Sequence, residues 1–218
     1  YIDDDSKINF YRDKLKSNDI ALIIDAGTPL LSDPGYKLIN IARQNNIDVT
    51  SIPGSSALMT AVSLSGRKMN NFIFEGFFSK KSTDQLILSS KLRYRTKDTF
   101  LFESPKRINS TLNFLKNKLL ERDVIVFHEL TKLNEKVIAF NLVDLPLYDF
   151  KPLGEYIILI SGTTIKYSKI DEDFSTYIKK EIEYLVANGL SLKNSAKIIA
   201  DIFDLPRKDI YNIWIDKN

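Results

Sequence analysis

The stretch "IALIIDAGTPLLSDPGYKLIN", residues 20–40, contains the pattern that decides the fold class. It opens with apolar residues up to Asp25, as is typical of a strand buried on both faces of a parallel sheet. A loop with two glycines and two prolines follows, and Asp33 with Pro34 predicts the N-cap and first turn of a helix that runs to about Asn45. The stretch therefore predicts a strand, a loop and a helix, which is the repeating unit of an α/β fold.

The same unit recurs once, and then the pattern changes. "IDVTSI" at 47–52 predicts a second strand, followed by a helix that Ser55 caps and Gly66 ends. Farther on, apolar strands follow one another with fewer helices between them, which indicates a mixed sheet. The predicted strands there are 72–77, 99–103, 123–128, 136–141 and 155–161, with helices at 83–95 and from Ser104 to about Leu120.

Three short amphipathic helices are predicted after Gly162 and resemble a helix-turn-helix bundle. The first places Phe174, Ile178 and Ile182 on one face, Ser191 caps the second, and Pro206 starts the third. We therefore predict an N-terminal α/β domain at 1–70, a second α/β domain with a mixed sheet at 71–163 and a helical domain at 164–218.

The composition excludes several kinds of chemistry. The 218 residues contain no cysteine, which rules out disulfides, thiolate nucleophiles and cysteine-bound zinc. His128 is the single histidine, so a Ser-His-Asp hydrolase or a histidine-rich metal site is disfavoured. No apolar run is long enough to cross a membrane and no leader opens the chain, so we expect a cytoplasmic protein. A net charge of +3 permits an RNA partner without requiring one.

Two loops between predicted strands and helices are candidate binding elements. The first contains Gly27 and Gly35 and lies at the carboxyl end of a strand, where open α/β sheets bind ligands. It lacks any glycine-rich phosphate pattern, and its small side chains favour an adenosine-like or amino-acid-like ligand. The second loop, "IPGSSAL" at 52–58, is of the same type, and the two loops are expected to lie side by side. The alternative is that the glycines and prolines only end a strand and start a helix.

The second half of the chain contains polar clusters directly after apolar strands. "FESPKR" at 102–107 and "HELTKLNEK" at 128–136 offer carboxylates that orient a ligand or accept a proton, and cations that hold phosphates. The alternative is a pair of solvated loops with ion pairs. A basic stretch is compatible with RNA binding, although charge runs of this kind are often exposed helix faces; it contains Lys80, Lys81, Lys91, Arg93, Tyr94, Arg95 and Lys97.

Taken together, these motifs resemble the ribosomal RNA small-subunit methyltransferase I family. "DAGTPLLSDPGYKL", "IPGSSAL", "FIFEGFF", "FESPKR", "HELTKLNE" and "GEYIILISG" match that family in order and spacing, and the likeness extends over nearly the whole chain. The resemblance implies an α/β fold of the tetrapyrrole-methylase type (class III methyltransferase), with two α/β sheet domains and a small C-terminal three-helix domain. It also implies a homodimer that uses S-adenosylmethionine, without a metal, to methylate the ribose 2′-hydroxyl of a cytidine in 16S rRNA of the 30S subunit.

The resemblance implies the cofactor contacts, whereas the candidates for proton transfer and RNA binding come from the chemistry of the polar clusters and the basic stretch. Proton transfer from the hydroxyl is expected of Glu103 or Lys132, with Glu129 in support. RNA contacts are expected of Lys80, Lys81, Lys106, Arg107, His128 and Lys132. Cofactor contacts are expected of Asp25, Ala26, Gly27, Thr28, Leu31, Ser32, Ser56, Ala57, Phe102, Leu130, Glu155 and Tyr156.

The chain departs from the family pattern at several points. His128 stands where the family usually has arginine, and Lys106 stands where it usually has histidine, which changes the expected grip on phosphates. The family opens with a strand and a Thr-Pro-Ile-Gly loop ahead of the residue that matches Tyr1, so we expect at least one βαβ unit to be absent. Two alternative functions remain: a tetrapyrrole (uroporphyrinogen or precorrin) methyltransferase of the same fold, and a non-catalytic RNA- or ribosome-binding module.

Overall fold

The computed structural model describes residues 4–25, 27–119, 121–164 and 172–215. The chain forms two compact units, Tyr1–Arg67 and Lys68–Asn218. In the first unit the helices are α1 (Asp5–Lys14), α2 (Tyr36–Gln44) and α3 (Ala57–Leu64). Their small apolar core consists of Ile8, Leu38, Ala42, Leu58 and Ala61.

The strands predicted at 20–25 and 47–52 do not form, and that prediction was wrong. A strand exists through the hydrogen bonds of its ladder, and no ladder joins the described residues of the first unit. The apolar side chains meant for the two faces of a sheet are open to solvent: Ile23 is 84% exposed and Ile52 is 90% exposed. Both segments therefore remain irregular.

The start of α2 also differs from the prediction. Gly35, rather than Asp33, is the N-cap, with φ at 123°. This backbone conformation calls for glycine; a Cβ atom on Gly35 would also lie 2.6 Å from Leu22 Cδ2, so the Leu22 side chain would have to shift. In α3 the cap is Ser56 instead of Ser55, and its hydroxyl accepts a hydrogen bond from the Met59 N–H at 3.4 Å.

The second unit is built on a five-stranded mixed sheet in the order β1-β2-β5-β3-β4, which confirms the α/β class and the mixed sheet. Strands β1 and β2 are parallel, and the other pairs are antiparallel. The strands are β1 (Ile73–Phe77), β2 (Thr99–Glu103), β3 (Asp123–His128), β4 (Lys136–Asn141) and β5 (Tyr156–Ile160). The sheet is accompanied by α4 (Ser82–Tyr94), α5 (Ile108–Leu119) and a 3₁₀ helix at Leu142–Leu147.

The strand register gathers polar residues at one edge of this sheet. Glu103 at the end of β2 lies opposite Tyr156, the first residue of β5. Tyr156 also lies opposite His128, the last residue of β3, and His128 lies opposite Lys136 at the start of β4. Because every residue of β5 is buried, the central strand fixes this row firmly in place.

Three helices complete the second unit: α6 (Glu172–Ala187), α7 (Leu192–Phe203) and α8 (Arg207–Ile215). Ser191 caps α7 as predicted, accepting a hydrogen bond from the Asn194 N–H at 3.3 Å. The helices pack on α4, where Leu86 joins their apolar cluster. The segment predicted as a helical domain at 164–218 thus packs within the same unit as the sheet. No helix in the described ranges is long and apolar enough to cross a membrane.

Candidate functional site

The polar residues that the sequence analysis singled out in the second unit meet where β2 and β3 end and β5 begins. We call this group the polar edge: Glu103, His128, Glu129, Lys132, Glu155 and Tyr156. Both strand ends are set by the register with β5, so the sheet itself brings together segments that are distant in sequence.

Lys132 joins two loops of the polar edge. Its Nζ donates to Glu129 Oε1 and to Glu155 Oε2, each at 2.9 Å. The Glu155 N–H donates to the same Glu129 oxygen at 3.0 Å, and the Glu129 N–H donates to the Glu155 carbonyl at 3.1 Å. The turn after β3 is thereby tied to the residue before β5.

The backbone of these loops is under constraint. Glu129 and Thr131 have positive φ values of 53° and 64°, which are uncommon for residues other than glycine. Gly154 has φ at 80°, and a Cβ atom there would lie 2.7 Å from the Glu129 side chain. Such conformations persist where the surrounding structure over-determines them, and they cluster at functional sites.

These contacts decide the charge of the two central groups. Hydrogen bonds to Glu129 and then to Glu155 raise the pKa of Lys132, whereas the hydrogen bond from Lys132 lowers the pKa of Glu129 more than desolvation raises it. Lys132 is therefore held as an ammonium near neutral pH, the form that cannot accept a proton. The contacts favour Lys132 as a fixed cation over the predicted role in proton transfer.

We expect the link between Glu129 and Lys132 to stabilise the fold only while both groups are charged. The lowered pKa of Glu129 means that this contribution is present above its ordinary value of 4.5 and is lost as the pH falls through the folded-state pKa. The raised pKa of Lys132 means that it is lost again as the pH rises past 10.5.

Urea unfolding of the parent and of a Lys132→Met variant checks this expectation. Because Lys132 is largely exposed, the difference in unfolding free energy at pH 7 should be below about 1 kcal/mol. It should shrink toward zero in acid, and a difference that grows in acid would contradict the assignment.

Glu103 is fully buried, with a side chain that is 0% exposed. Its Oε1 accepts from the Ser104 N–H at 2.5 Å and lies 2.6 Å from Arg107 Nη2 in an ion pair, and its Oε2 accepts from Thr111 Oγ1 at 2.5 Å. A carboxylate with these partners and no exposure does not reach a substrate. The geometry therefore does not favour Glu103 in the predicted role of proton acceptor.

His128 and Tyr156 form a stacked pair, with ring centroids 4.4 Å apart and planes 18° from parallel. His128 Nε2 lies 2.9 Å from the Leu153 carbonyl oxygen; since a carbonyl only accepts, this nitrogen carries the proton. The Tyr156 hydroxyl donates to the Lys151 carbonyl at 2.8 Å, and burial raises its pKa. The imidazole is thus held from one face and one edge.

Some cations of the basic stretch form ion pairs within the fold, and others are exposed. Arg93 pairs with Glu181, and Arg95 Nη2 lies 2.7 Å from Glu75 Oε1. Tyr94 is buried, so this part of the stretch does not serve as an exposed RNA surface. Within the described ranges no ion pair engages the exposed cations Lys80, Lys81 and Lys106.

In the first unit, an irregular, exposed loop carries Asp25, Gly27, Thr28, Leu31 and Ser32, whereas Ser56 is half-buried and Ala57 begins α3. Gly27 has φ at 81°, and a Cβ atom there would meet nothing within 4 Å, so its backbone is open to a ligand. Ser32 also has a positive φ, at 66°. The Ser56 hydroxyl caps α3 by accepting a hydrogen bond from the Met59 N–H. Ala26 lies outside the described residues. Since no strands precede the two loops, the ground for placing them side by side is lost.

The remaining predicted contacts lie in the second unit. Phe102 packs edge-on against Phe74, with ring centroids 4.7 Å apart, and Leu130 is half-buried in the turn after β3. Among the residues that the structure describes, no group of three or more His, Asp or Glu side chains is placed to hold a metal ion.

Three residues of this region were not predicted from the sequence: Thr111, Leu153 and Gly154. Thr111 had a detectable signal, because it is a polar residue on the buried face of α5 together with Ile108 and Leu112. The carbonyl role of Leu153 carries no signal in a side-chain pattern. Gly154 belongs to the quoted motif "GEYIILISG", but only the structure shows the contact with Glu129.

Comparison with known proteins shows the family to which the chain belongs. Residues 3–146 match the family described as Tetrapyrrole (Corrin/Porphyrin) Methylases. In solved structures, the chain is similar to the methyltransferase CobJ, with a TM-score of 0.52 and 13% identity over 75% of this chain and 73% of that one. It is also similar to a diphthine synthase, with a TM-score of 0.53 and 15% identity over 72% and 65% of the two chains. At these identities the structures support the fold alone.

The curated relatives are more specific. Ribosomal RNA small subunit methyltransferase I of Synechocystis sp. is 34% identical over 90% of this chain and 71% of its own length. The protein of the same name from Vibrio cholerae serotype O1 is 35% identical over 91% of this chain and 70% of its own length. The chain therefore belongs to the tetrapyrrole methylase family and, within it, to the ribosomal RNA small subunit methyltransferase I family.

Proposed function

We propose that this protein is an S-adenosylmethionine-dependent methyltransferase that modifies the ribose 2′-hydroxyl of a cytidine in 16S rRNA within the 30S subunit. The observation that carries the proposal is the identity of about one residue in three, over nine-tenths of the chain, to relatives named as small-subunit rRNA methyltransferases. The proposal places the enzyme in the cytoplasm and includes a homodimer, which sedimentation of the purified protein tests.

The loop after residue 24 has an exposed backbone that suits a bound cofactor. Its exposed backbone is free of crowding at Gly27, as a ligand held by main-chain groups requires. Asp25, Gly27, Thr28, Leu31 and Ser32 would hold the cofactor there, together with the predicted residues Ala26, Ser56 and Ala57. The contacts predicted for Phe102, Leu130, Glu155 and Tyr156 belong to the same proposal.

S-adenosylmethionine, when bound, supplies an electrophilic methyl group on a sulfonium. A ribose hydroxyl that took this methyl group would release its proton, so a residue of this chain must accept it. Alignment of the hydroxyl is the main requirement, so rigid elements such as the end of β3 and the start of β5 suit the task. No metal is needed for this reaction.

Glu129 is the best-placed proton acceptor of the three predicted residues. Its Oε1 is occupied by Lys132 and by the Glu155 N–H, which leaves Oε2 without a partner in the described ranges. The lowered pKa of Glu129 keeps the carboxylate ionised near neutral pH, and Lys132 holds it in place. Glu129 therefore takes the proton late in the reaction, when the 2′-hydroxyl has become more acidic.

RNA contacts are assigned to the basic residues around this edge. Lys106 and Arg107 follow β2, His128 ends β3, and Lys132 lies in the next turn. Lys80 and Lys81, just before α4, extend the surface. Such contacts to phosphates fix the position of the substrate and make its binding dependent on salt.

Transfer of labelled methyl groups tests the proposal against its alternatives. The protein is incubated with labelled S-adenosylmethionine and, in parallel, with unmethylated 30S subunits, naked 16S rRNA and uroporphyrinogen. Nucleoside mass spectrometry should find 2′-O-methylcytidine in the 30S sample. Label in the porphyrinogen would instead support a tetrapyrrole methyltransferase, and binding of 30S without any label would support a non-catalytic module.

A further inference from the structure

Glu103, the buried member of the polar edge, forms an ion pair with the partly exposed Arg107. Arg107 lies just before α5, and its side chain is 23% exposed, so it runs from the interior to the surface. Inside, it contacts Glu103 through Nη2 alone, and its Nε atom is buried without a hydrogen-bond partner. The guanidinium is therefore fixed at one corner while part of it remains accessible.

Thr111 holds the Glu103 end of this ion pair. Its hydroxyl donates to Glu103 Oε2, while its N–H donates to the Arg107 carbonyl at 2.8 Å. One turn of α5 thus binds both the carboxylate that orients Arg107 and the backbone that carries it. Thr111 is buried and does not touch the surface, so its influence on a substrate must pass through Glu103 and Arg107.

We infer that Glu103 and Thr111 are positioning residues that hold the Arg107 guanidinium for a phosphate of the RNA substrate. The inference rests on the proposed function and gives Glu103 a role other than proton transfer. An arginine side chain loses much rotamer freedom on binding, and a side chain that is already fixed loses less. A fixed Arg107 therefore binds the RNA more tightly, with no change in the chemical step.

Thr111→Val removes the hydroxyl while keeping the shape of the side chain. Glu103 then loses the donor at Oε2 and Arg107 gains freedom, so the KM for 30S subunits should rise about threefold to tenfold. The kcat and the Kd for S-adenosylmethionine should not change. Thr111→Ser restores the hydroxyl and should restore the KM.

Thr99→Val is the matched control. Thr99 is also a buried threonine, but it stands at the start of β2, the end opposite Glu103, where its hydroxyl accepts from Arg95 Nη1 at 3.1 Å. Both substitutions lower stability, and only Thr111→Val should change the KM. Equal KM values for the two variants would overturn the inference.

A second measurement does not depend on the substrate. The order parameter of the Arg107 Nε–Hε group, from NMR relaxation, should fall in Thr111→Val and recover in Thr111→Ser. An unchanged order parameter would overturn the inference whatever the activity. If the order parameter falls but the parent methylates no 30S subunits, the positioning of Arg107 stands and the proposed function fails.

Discussion

Replacing Arg93 with methionine is expected to lower the free energy of unfolding of the second unit by about 3 kcal/mol. Arg93 is the cation that pairs with Glu181, whose side chain is 3% exposed. Without it, the Glu181 carboxylate keeps the Tyr94 hydroxyl at 3.0 Å as a donor but loses its ion pair with Arg93. A buried charge that loses its partner is costly because the interior does not replace the lost water.

Urea unfolding followed by the fluorescence of Trp214, the single tryptophan, measures this loss. Trp214 packs in the apolar cluster of α6, α7 and α8, so its signal reports on the region around Glu181. Lys118→Met is the control, because Lys118 lies over the Tyr184 ring at 4.7 Å, near Arg93, without pairing with a carboxylate. It should cost less than about 1 kcal/mol.

The double variant Arg93→Met with Glu181→Leu tests whether the loss of stability comes from the unpaired Glu181 carboxylate. Apolar residues of similar volume often replace a buried ion pair with little loss, so most of the stability should return. A double variant as unstable as Arg93→Met alone would show that the loss comes from packing rather than from the stranded carboxylate.

Glu129→Gln is expected to reduce the kcat for methyl transfer by about 100-fold, at the lower end of what proton transfer by a positioned side chain contributes. Glutamine keeps an oxygen that accepts from Lys132 and from the Glu155 N–H, so the loops should stay joined. It cannot take the hydroxyl proton. Single-turnover transfer to 30S subunits measures the effect, with the Kd for S-adenosylmethionine expected to be unchanged.

Two further variants make this result specific. Glu135→Gln is the control, because Glu135 lies in the same turn but only accepts from the Thr131 N–H at 2.7 Å; its kcat should equal that of the parent. Lys132→Met should weaken RNA binding and lower activity less than Glu129→Gln. Full activity of Glu129→Gln, with loss in Lys132→Met, would instead assign the proton to the lysine.

The sequence predicts most strands and helices of the second unit well. Each has a typical apolar pattern, and each also pairs or packs with a neighbouring element. The bounds predicted for β3 and β4 are those observed, since alternating and continuous apolar runs end there at polar residues. The segment 20–25 has an equally apolar pattern but no ladder, and a periodicity does not reveal whether a partner strand is present. Gly35 rather than Asp33 is the cap, with a positive φ that the sequence pattern does not reveal.

For the candidate site, the sequence identifies which segments contribute residues better than it identifies the role of each residue. It brings Glu103, His128 and Tyr156 into consideration, and the register places them in one row. It does not show that Glu103 is buried or that Lys132 is bound between two carboxylates, because burial and pairing depend on the packing of distant segments. For the same reason it did not separate the paired Arg93 and Arg95 from the exposed Lys80 and Lys81.

The packing of α6 on α4 has a consequence for the order of events during synthesis. Arg93 and Glu181 are 88 residues apart, which corresponds to roughly 4–18 s at the usual elongation rate of about 5–20 residues per second. During that interval Arg93 and Leu86 are part of the nascent chain while their partners have not yet been made. Helix α4 therefore spends seconds with an uncovered apolar surface, and this nascent intermediate is where a chaperone would be needed most.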